Sequence, residues 1–208
     1  MIRVVASLVL AFTFYAGTAA QADDGHAAKG VVERLQSDVI DVLKQAKKLG
    51  AEGRYQHLLP VLTRDVHMTL MTATASGNFW RKGTKEQRER AVKAFGEMHT
   101  ALLAGLFDTY NGENFRTIRA RPTGGKIVLV DSEILDGDGD PTLVTFVTAK
   151  VRGRWWVIDV IIAGGISEVK VKLNEFHRLL VDGGLDSLSA ALEQKKRRLL
   201  TGEEKADR

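Results

Sequence analysis

From Phe115 onward the chain changes its period. "KIVLVDSEIL" (126–135), "TLVTFVTAKV" (142–151) and "RWWVIDVII" (154–162) are β-branched and aromatic runs, separated by "DGDGDP" and "RGR". Runs of this kind joined by tight turns pair as antiparallel neighbours. The sequence therefore predicts an antiparallel meander, with "FRTIRARP" from Phe115 as a further short strand. A chain that commits its middle to a meander must cover that sheet with what flanks it.

The flanks read as helices. Val32, Leu35, Val39, Val42, Leu43, Ala46 and Leu49 recur every three or four positions between Ala27 and Leu49, with Gly50 and Gly53 expected to end that helix. A second helical stretch starts near Arg54, and Pro60 interrupts it or starts the next element. Val61 to Ala75 reads as further helix, broken at Ser76-Gly77-Asn78. Thr84 to Gln87 is a capping box opening a long helix to about Tyr110, where Asn111-Gly112 stops it. Its apolar stripe is Ala91, Phe95, Met98, Leu102 and Leu106.

After the strands, Ser167 caps a new helix, with Ile166 and Val171 spaced as a hydrophobic staple. Val169, Leu173, Phe176 and Leu180 form its stripe. Gly183-Gly184 ends it, Asp186 caps a last helix to about Leu200, and the tail from Thr201 reads as frayed. Helices, then strands, then helices define an α+β class.

The leader narrows the compartment. Residues 1–22 carry one cation, Arg3, then an apolar run from Val4 to about Tyr15 and the small-residue pattern Ala20-Gln21-Ala22. That is a secretory signal peptide pattern, too short in its apolar part for a bilayer span of roughly 20 residues. A single domain over 23–200 and a flexible tail over 201–208 follow, in a periplasmic or secreted chain. With no cysteine, disulfides and thiolate metal sites are excluded. Removing Arg3 lowers the formal charge from +4 to +3, and aromatic-basic interleaving of the nucleic-acid kind is absent.

Chemistry is sparse. His26, His57, His67, His99 and His177 include no pair spaced to ligate from one helix face, and HExxH is missing. Asp136, Asp138 and Asp140 imitate a calcium loop, but Pro141 and Val147 stand where glycine and a bidentate glutamate are required. Gly164-Gly165 resembles a phosphate-binding turn without its remaining glycine or parallel strand. Asp159 is the one acid in an apolar run. Two roles fit it: a catalytic acid with a raised pKa, as in a secreted hydrolase, or a carboxylate bonded to backbone at a bend. The basic run Lys195 to Arg198 reads as a solvated helix face or as a contact for headgroups or a partner complex. No catalytic residue, metal or cofactor is assigned.

Strict alternation puts Trp156, Ile158, Val160 and Ile162 on one strand face and Trp155, Val157, Asp159 and Ile161 on the other. Both faces are apolar, which fits either a strand covered on both sides or a pocket within the layer.

"SGNFWRKGTKEQRERAVKAF", "YNGENF" and "WWVIDVIIAGGISEVKVKLNEFHRLLVDGGLDSLSAAL" together resemble the MlaC family of toluene-tolerance auxiliary, or phospholipid-binding, proteins. Gly77, Trp80, Gln87, Phe95, Tyr110, Gly112, Trp155 through Asp159, Gly164, Ser167, Glu175-Phe176 and Gly184 to Leu188 carry the resemblance from about Ala27 to Leu192. It implies a periplasmic carrier that moves phospholipid between an outer-membrane lipoprotein complex and the substrate-binding subunit of an inner-membrane ABC transporter. It also implies an apolar cavity between sheet and helices. A branch of the family, HpnM, is associated with hopanoid-type lipids. On this reading Phe95, Met98, Leu102 and Leu106 from the helix, with Phe146, Trp156, Ile158 and Val160 from the sheet, are expected to line the lipid pocket.

Overall fold

The computed structural model describes residues 16–106, 108–135, 140–163 and 165–204, with side chains from Asp23 onward. Residues 1–15 of the expected signal peptide, most of the "DGDGDP" turn and Gly164 lie outside them. The order is α1 (Ala16–Leu43), α2 (Ala46–Asp65), α3 (Met68–Ser76), α4 (Asn78–Lys82), α5 (Lys85–Leu106), β1 (Asn114–Pro122), β2 (Ile127–Leu135), β3 (Thr142–Val151), β4 (Arg154–Ile162), β5 (Ile166–Ser167) and α6 (Glu168–Thr201). This is the α+β order read from the sequence.

The sheet is antiparallel throughout and runs β1-β2-β3-β4-β5. β2 and β3 pair without a shift, so Val128, Val130, Val144 and Phe146 share one face. That face is the core: all four are buried, together with Val157 of β4. α1 lies across it, burying Val32, Leu35, Val39 and Val42. A polar clamp fixes the register of helix on sheet. Gln36 donates to Ser132 Oγ at 3.0 Å and accepts from Thr117 Oγ1 at 3.0 Å.

On the opposite face Asp131 accepts from Arg121 Nε at 2.7 Å, from Arg119 Nε at 2.9 Å and from Thr145 Oγ1 at 3.0 Å. The Arg121 hydrogen bonds lead in holding its carboxyl well below the usual range, against the opposing effect of burial.

Two bulges depart from strict alternation. β1 skips Ile118 between the pairs Thr117↔Ser132 and Arg119↔Asp131, which leaves that isoleucine 48% exposed. In β4, Val147 pairs with Asp159 but Thr148 pairs with Val157, so Ile158 is the extra residue. Trp156 pairs with Ala149 and Val160 with Phe146, three positions apart on a regular strand. Trp156 and Val160 therefore stand on opposite faces, and the single face expected for Trp156, Ile158, Val160 and Ile162 does not exist. A period-two count cannot register an inserted residue.

The helical boundaries also differ in places. α1 stops at Leu43, before the expected end, and Gly50 is a non-helical break inside α2 while Gly53 stays helical. Pro60 lies within α2, where the turn before it, at Gln56 and His57, is exposed and its freed carbonyl can meet solvent. The expected run from Val61 to Ala75 breaks at Val66-His67. There Val66 bridges β4 and His67 N–H donates to Val157 O at 2.8 Å, covering part of β4's open edge.

The capping box stands: Gln87 N–H donates to Thr84 Oγ1 at 3.2 Å, and Thr84 N–H to Gln87 Oε1 at 2.9 Å. α5 ends at Leu106, short of Tyr110. Ser167 caps α6 through Lys170 N–H at 3.2 Å. Ile166 makes no staple; it is 56% exposed and pairs with Ile162 as β5. Gly183 and Gly184 break α6 as expected, with Gly184 at φ 64°. Asp186 does not cap the second half, because its carboxylate accepts from Gln87 at 2.7 Å and Arg90 at 2.5 Å on α5. Beyond Thr201 the chain folds back: Glu204 N–H donates to Arg198 O at 3.1 Å, and its carboxylate accepts from Arg198 Nε at 2.9 Å.

Candidate functional site

The turn from α3 to α4 needs Gly77, whose φ of 53° lies in the left-handed region that favours glycine. Within α4, Lys82 lies over the Phe79 ring at 5.7 Å, and Arg88 of α5 lies over Trp80 at 5.6 Å, which ties α4 to α5. Arg88 Nε also donates to Trp80 O at 2.9 Å. The result is a hollow of about 290 Å³ facing the first half of α6, lined by Ser76, Asn78, Phe79, Leu173, His177 and Leu180. Ser76 is 1% exposed and its Oγ is buried without a hydrogen-bond partner. A second cavity of about 310 Å³ lies between α1 and β1, where Glu33, Asp41 and Lys44 stand beside Ile40 and Phe115. Its charged lining suits water and ions better than hydrocarbon.

Of the eight residues expected to line a pocket, three are buried in the core and five are half-buried. Phe95 and Met98 are 0% and 1% exposed. The Phe95 ring meets Phe176 of α6 edge-on at 6.2 Å and His99 at 4.0 Å. Phe146 is buried with its ring 6.4 Å from Phe115. Leu102, Leu106, Ile158 and Val160 are half-buried, and Leu102 and Val160 pack against the main core. Trp156, on the other face, is half-buried between His67 at 5.1 Å and the Arg154 guanidinium at 4.1 Å. The structure thus brings Phe146 and Val160 together across β3 and β4, and sends Trp156 away from them. None of the eight lines either cavity.

Of the residues that do line the apolar hollow, Leu173 and Leu180 were visible as part of a helical stripe. Ser76 was read only as part of a helix break and His177 only as a rejected ligand, and Phe79 carried no signal because α4 has too few turns to show a period.

Asp159 is fully engaged. Its Oδ1 accepts from Val160 N–H at 2.8 Å and Val169 N–H at 3.1 Å, and its Oδ2 accepts from Ser167 Oγ at 2.6 Å. It ties the end of β4 to the first turn of α6, where a carboxylate suits the unpaired amides. This is the backbone-bonded role at a bend.

His99 lies inside the α5–α6 packing, its ring 4.0 Å from Phe95. Burial pushes its pKa down to about 4, against the raising effect of its hydrogen bond to Phe95 O. Nδ1 lies 2.8 Å from that carbonyl, and Nε2 is buried without a partner. The ring is therefore neutral at pH 7 and works as part of the α5–α6 packing. Among the described residues no group of three or more His, Cys, Asp or Glu is placed to hold a metal, and no helix is long and apolar enough to cross a membrane.

The fold is thus a meander under a long crossing helix, closed by a broken helix that walls an apolar hollow. The chain belongs to the MlaC family: the model of the MlaC protein matches residues 33–194. The fold is shared with a phospholipid-binding protein from Ralstonia solanacearum, solved in complex with a phospholipid. That protein is 21% identical, with a TM-score of 0.70 over 83% of this chain and 98% of its own.

Proposed function

We propose that this protein is a periplasmic lipid carrier, exported by the signal peptide at 1–22 and folded as one domain over 23–200. It carries phospholipid between an outer-membrane lipoprotein complex and the substrate-binding subunit of an inner-membrane ABC transporter. The observation that carries this reading is the match to the MlaC family over residues 33–194, with a fold shared by a protein that was solved holding a phospholipid.

Solvation explains why such a protein is needed. A diacyl lipid has roughly 30 methylenes, and exposing them to water costs about 24 kcal/mol at ~0.8 kcal/mol each. An apolar interior removes most of that barrier without a nucleophile, metal or cofactor.

The hollow beside α6 is at the lower end of the roughly 300–1,000 Å³ range of ligand pockets, so a whole lipid needs its walls to part. α6 is built for that, because its first half covers the hollow and ends at the Gly183-Gly184 break. Phe176 on that half rests on Phe95. Swinging it outward opens the hollow toward Phe95, Met98, Leu102 and Leu106, with Phe146, Ile158 and Val160 of the sheet behind them. In this reading those side chains are the floor that acyl chains reach, and Trp156 stands outside.

Native mass spectrometry and organic extraction of protein purified from cells test the proposal. Co-purified phospholipid supports it, and a hopanoid-type lipid instead assigns the protein to that branch of carriers. Lipid-free protein overturns it. A secreted hydrolase using Asp159 is disfavoured by the three donors that already occupy its two oxygens.

A further inference from the structure

The end of α2 carries an ionic cluster that the folding of the chain does not fully explain. Asp65 is 0% exposed. Arg34 donates to its Oδ1 at 2.5 Å, and Arg64 Nε donates to its Oδ2 at 3.0 Å. Arg64 is further bonded to Asp38 at 2.6 Å. Those two guanidinium groups occupy both carboxylate oxygens, so a buried acid is already paired.

A third cation, Arg154, nevertheless stands 3.8 Å from Asp65 Oδ1. What holds it is its stacking on the Trp156 ring at 4.1 Å and a hydrogen bond to Arg64 O. Three guanidinium groups thus surround two carboxylates, Asp65 and Asp38, a surplus of one positive charge (3 − 2 = +1). The three arginine side chains are 44%, 41% and 47% exposed, so each can reach an incoming ligand. Guanidinium forks fixed by packing, with donor groups left over, are suited to the oxygens of a phosphoryl group.

We propose that Arg34, Arg64 and Arg154, braced by Asp65 and Trp156, form a binding site for a phosphate oxyanion at the α2–β4 corner. Arg154 is the group most committed to the ligand, since Asp65 does not need it. The site takes a phosphoester or phosphate group, and the headgroup of a carried phospholipid is one source of it. That source rests on the carrier reading given above; the oxyanion site itself does not. Asp65 keeps the cluster together: burial raises its pKa, but the hydrogen bonds from Arg64 and Arg34 outweigh this and leave it ionised.

The test uses the full mature protein and two probes. Inorganic phosphate is titrated while the Nε–Hε signals of arginine are followed by NMR, in wild type and in Arg154→Gln. In parallel, both proteins are offered mixed vesicles of phosphatidylglycerol and diacylglycerol, and the bound lipids are weighed by mass spectrometry. Phosphate is expected to shift the signals of Arg34, Arg64 and Arg154, and Arg154→Gln to weaken it about tenfold. If the headgroup is the source, Arg154→Gln also loses the preference for phosphatidylglycerol over diacylglycerol while still carrying lipid. If phosphate binding weakens but that preference stays, the site exists and serves free phosphate. No phosphate-dependent shift at these arginines, or a shift unaltered by Arg154→Gln, overturns the site. Loss of all lipid from wild type would overturn the carrier reading instead. Arg34→Gln removes a primary partner of buried Asp65 and is expected to unfold more easily, so Arg154→Gln is the deciding variant, and its unchanged thermal melt is the control.

Discussion

The two sides of α6 are built differently. Toward α5, Phe176 closes on Phe95, and Met98 and Ala101 are buried. Toward α3 and α4, the same helix leaves a hollow behind Leu173 and Leu180. The contrast follows from the partner elements. α5 is a long helix with a continuous stripe, able to interlock with another helix along its length. α3 and α4 are short and meet at Gly77, so their side chains diverge and cannot fill the space between them.

The contrast yields tests, beginning with the largest effect. Phe95→Ala empties a fully buried site between α5 and α6, and we expect it to cost about 3–5 kcal/mol in urea unfolding. A loss much smaller than that would mean the α5 side is not a filled core. Asp159→Ala removes the carboxylate that joins β4 to the start of α6. The expected loss is about 1–2 kcal/mol, with bound lipid unchanged. Should the variant instead keep its stability and lose an ester-hydrolysing activity, Asp159 would be a catalytic acid after all.

Leu173→Ala, on the hollow side and already 37% exposed, should cost less than about 1 kcal/mol. Leu173→Trp should lower the lipid bound per protein by filling the hollow. Equal lipid content in Leu173→Trp and wild type would place the lipid elsewhere.

Acid titration separates two further groups. His99 is held neutral in the fold with a pKa near 4. The unfolded chain takes up a proton near pH 6.5, so the unfolded state binds more protons between those values and stability falls as pH falls from about 6.5 to 4. His99→Gln should flatten that limb in unfolding measured across the range. Asp131 has a lowered pKa, so its contribution is present above about pH 4, the unfolded value, and is lost only as the medium becomes more acidic. Asp131→Asn should therefore change the unfolding curve below about pH 4 and leave the limb above it intact.

Much of this architecture was legible from local chemistry. The three strand runs, the Thr84–Gln87 box, the Ser167 cap and the Gly77 and Gly183-Gly184 breaks each depend on residues within a few positions of one another. Two of the misread features share one cause. Val66-His67 is an elbow because β4 offers it a carbonyl, and Asp186 abandons capping because Arg90 and Gln87 are beside it. Neither partner is near in sequence. The β4 bulge at Ile158 is a further case: its effect is to exchange which side chains face α1, and only the pairing with β3 reveals it.

The sequence by itself determined the α+β order and the apolar stripes, because periodicity and capping are properties of neighbouring residues. Which stripe became packed core and which bordered empty space was decided only in the tertiary structure. A cavity is a mismatch between surfaces contributed by distant segments. No residue announces it, since Phe95 beside Phe176 and Leu173 beside Phe79 are the same kind of apolar contact until the lengths and angles of α3, α4, α5 and α6 are fixed.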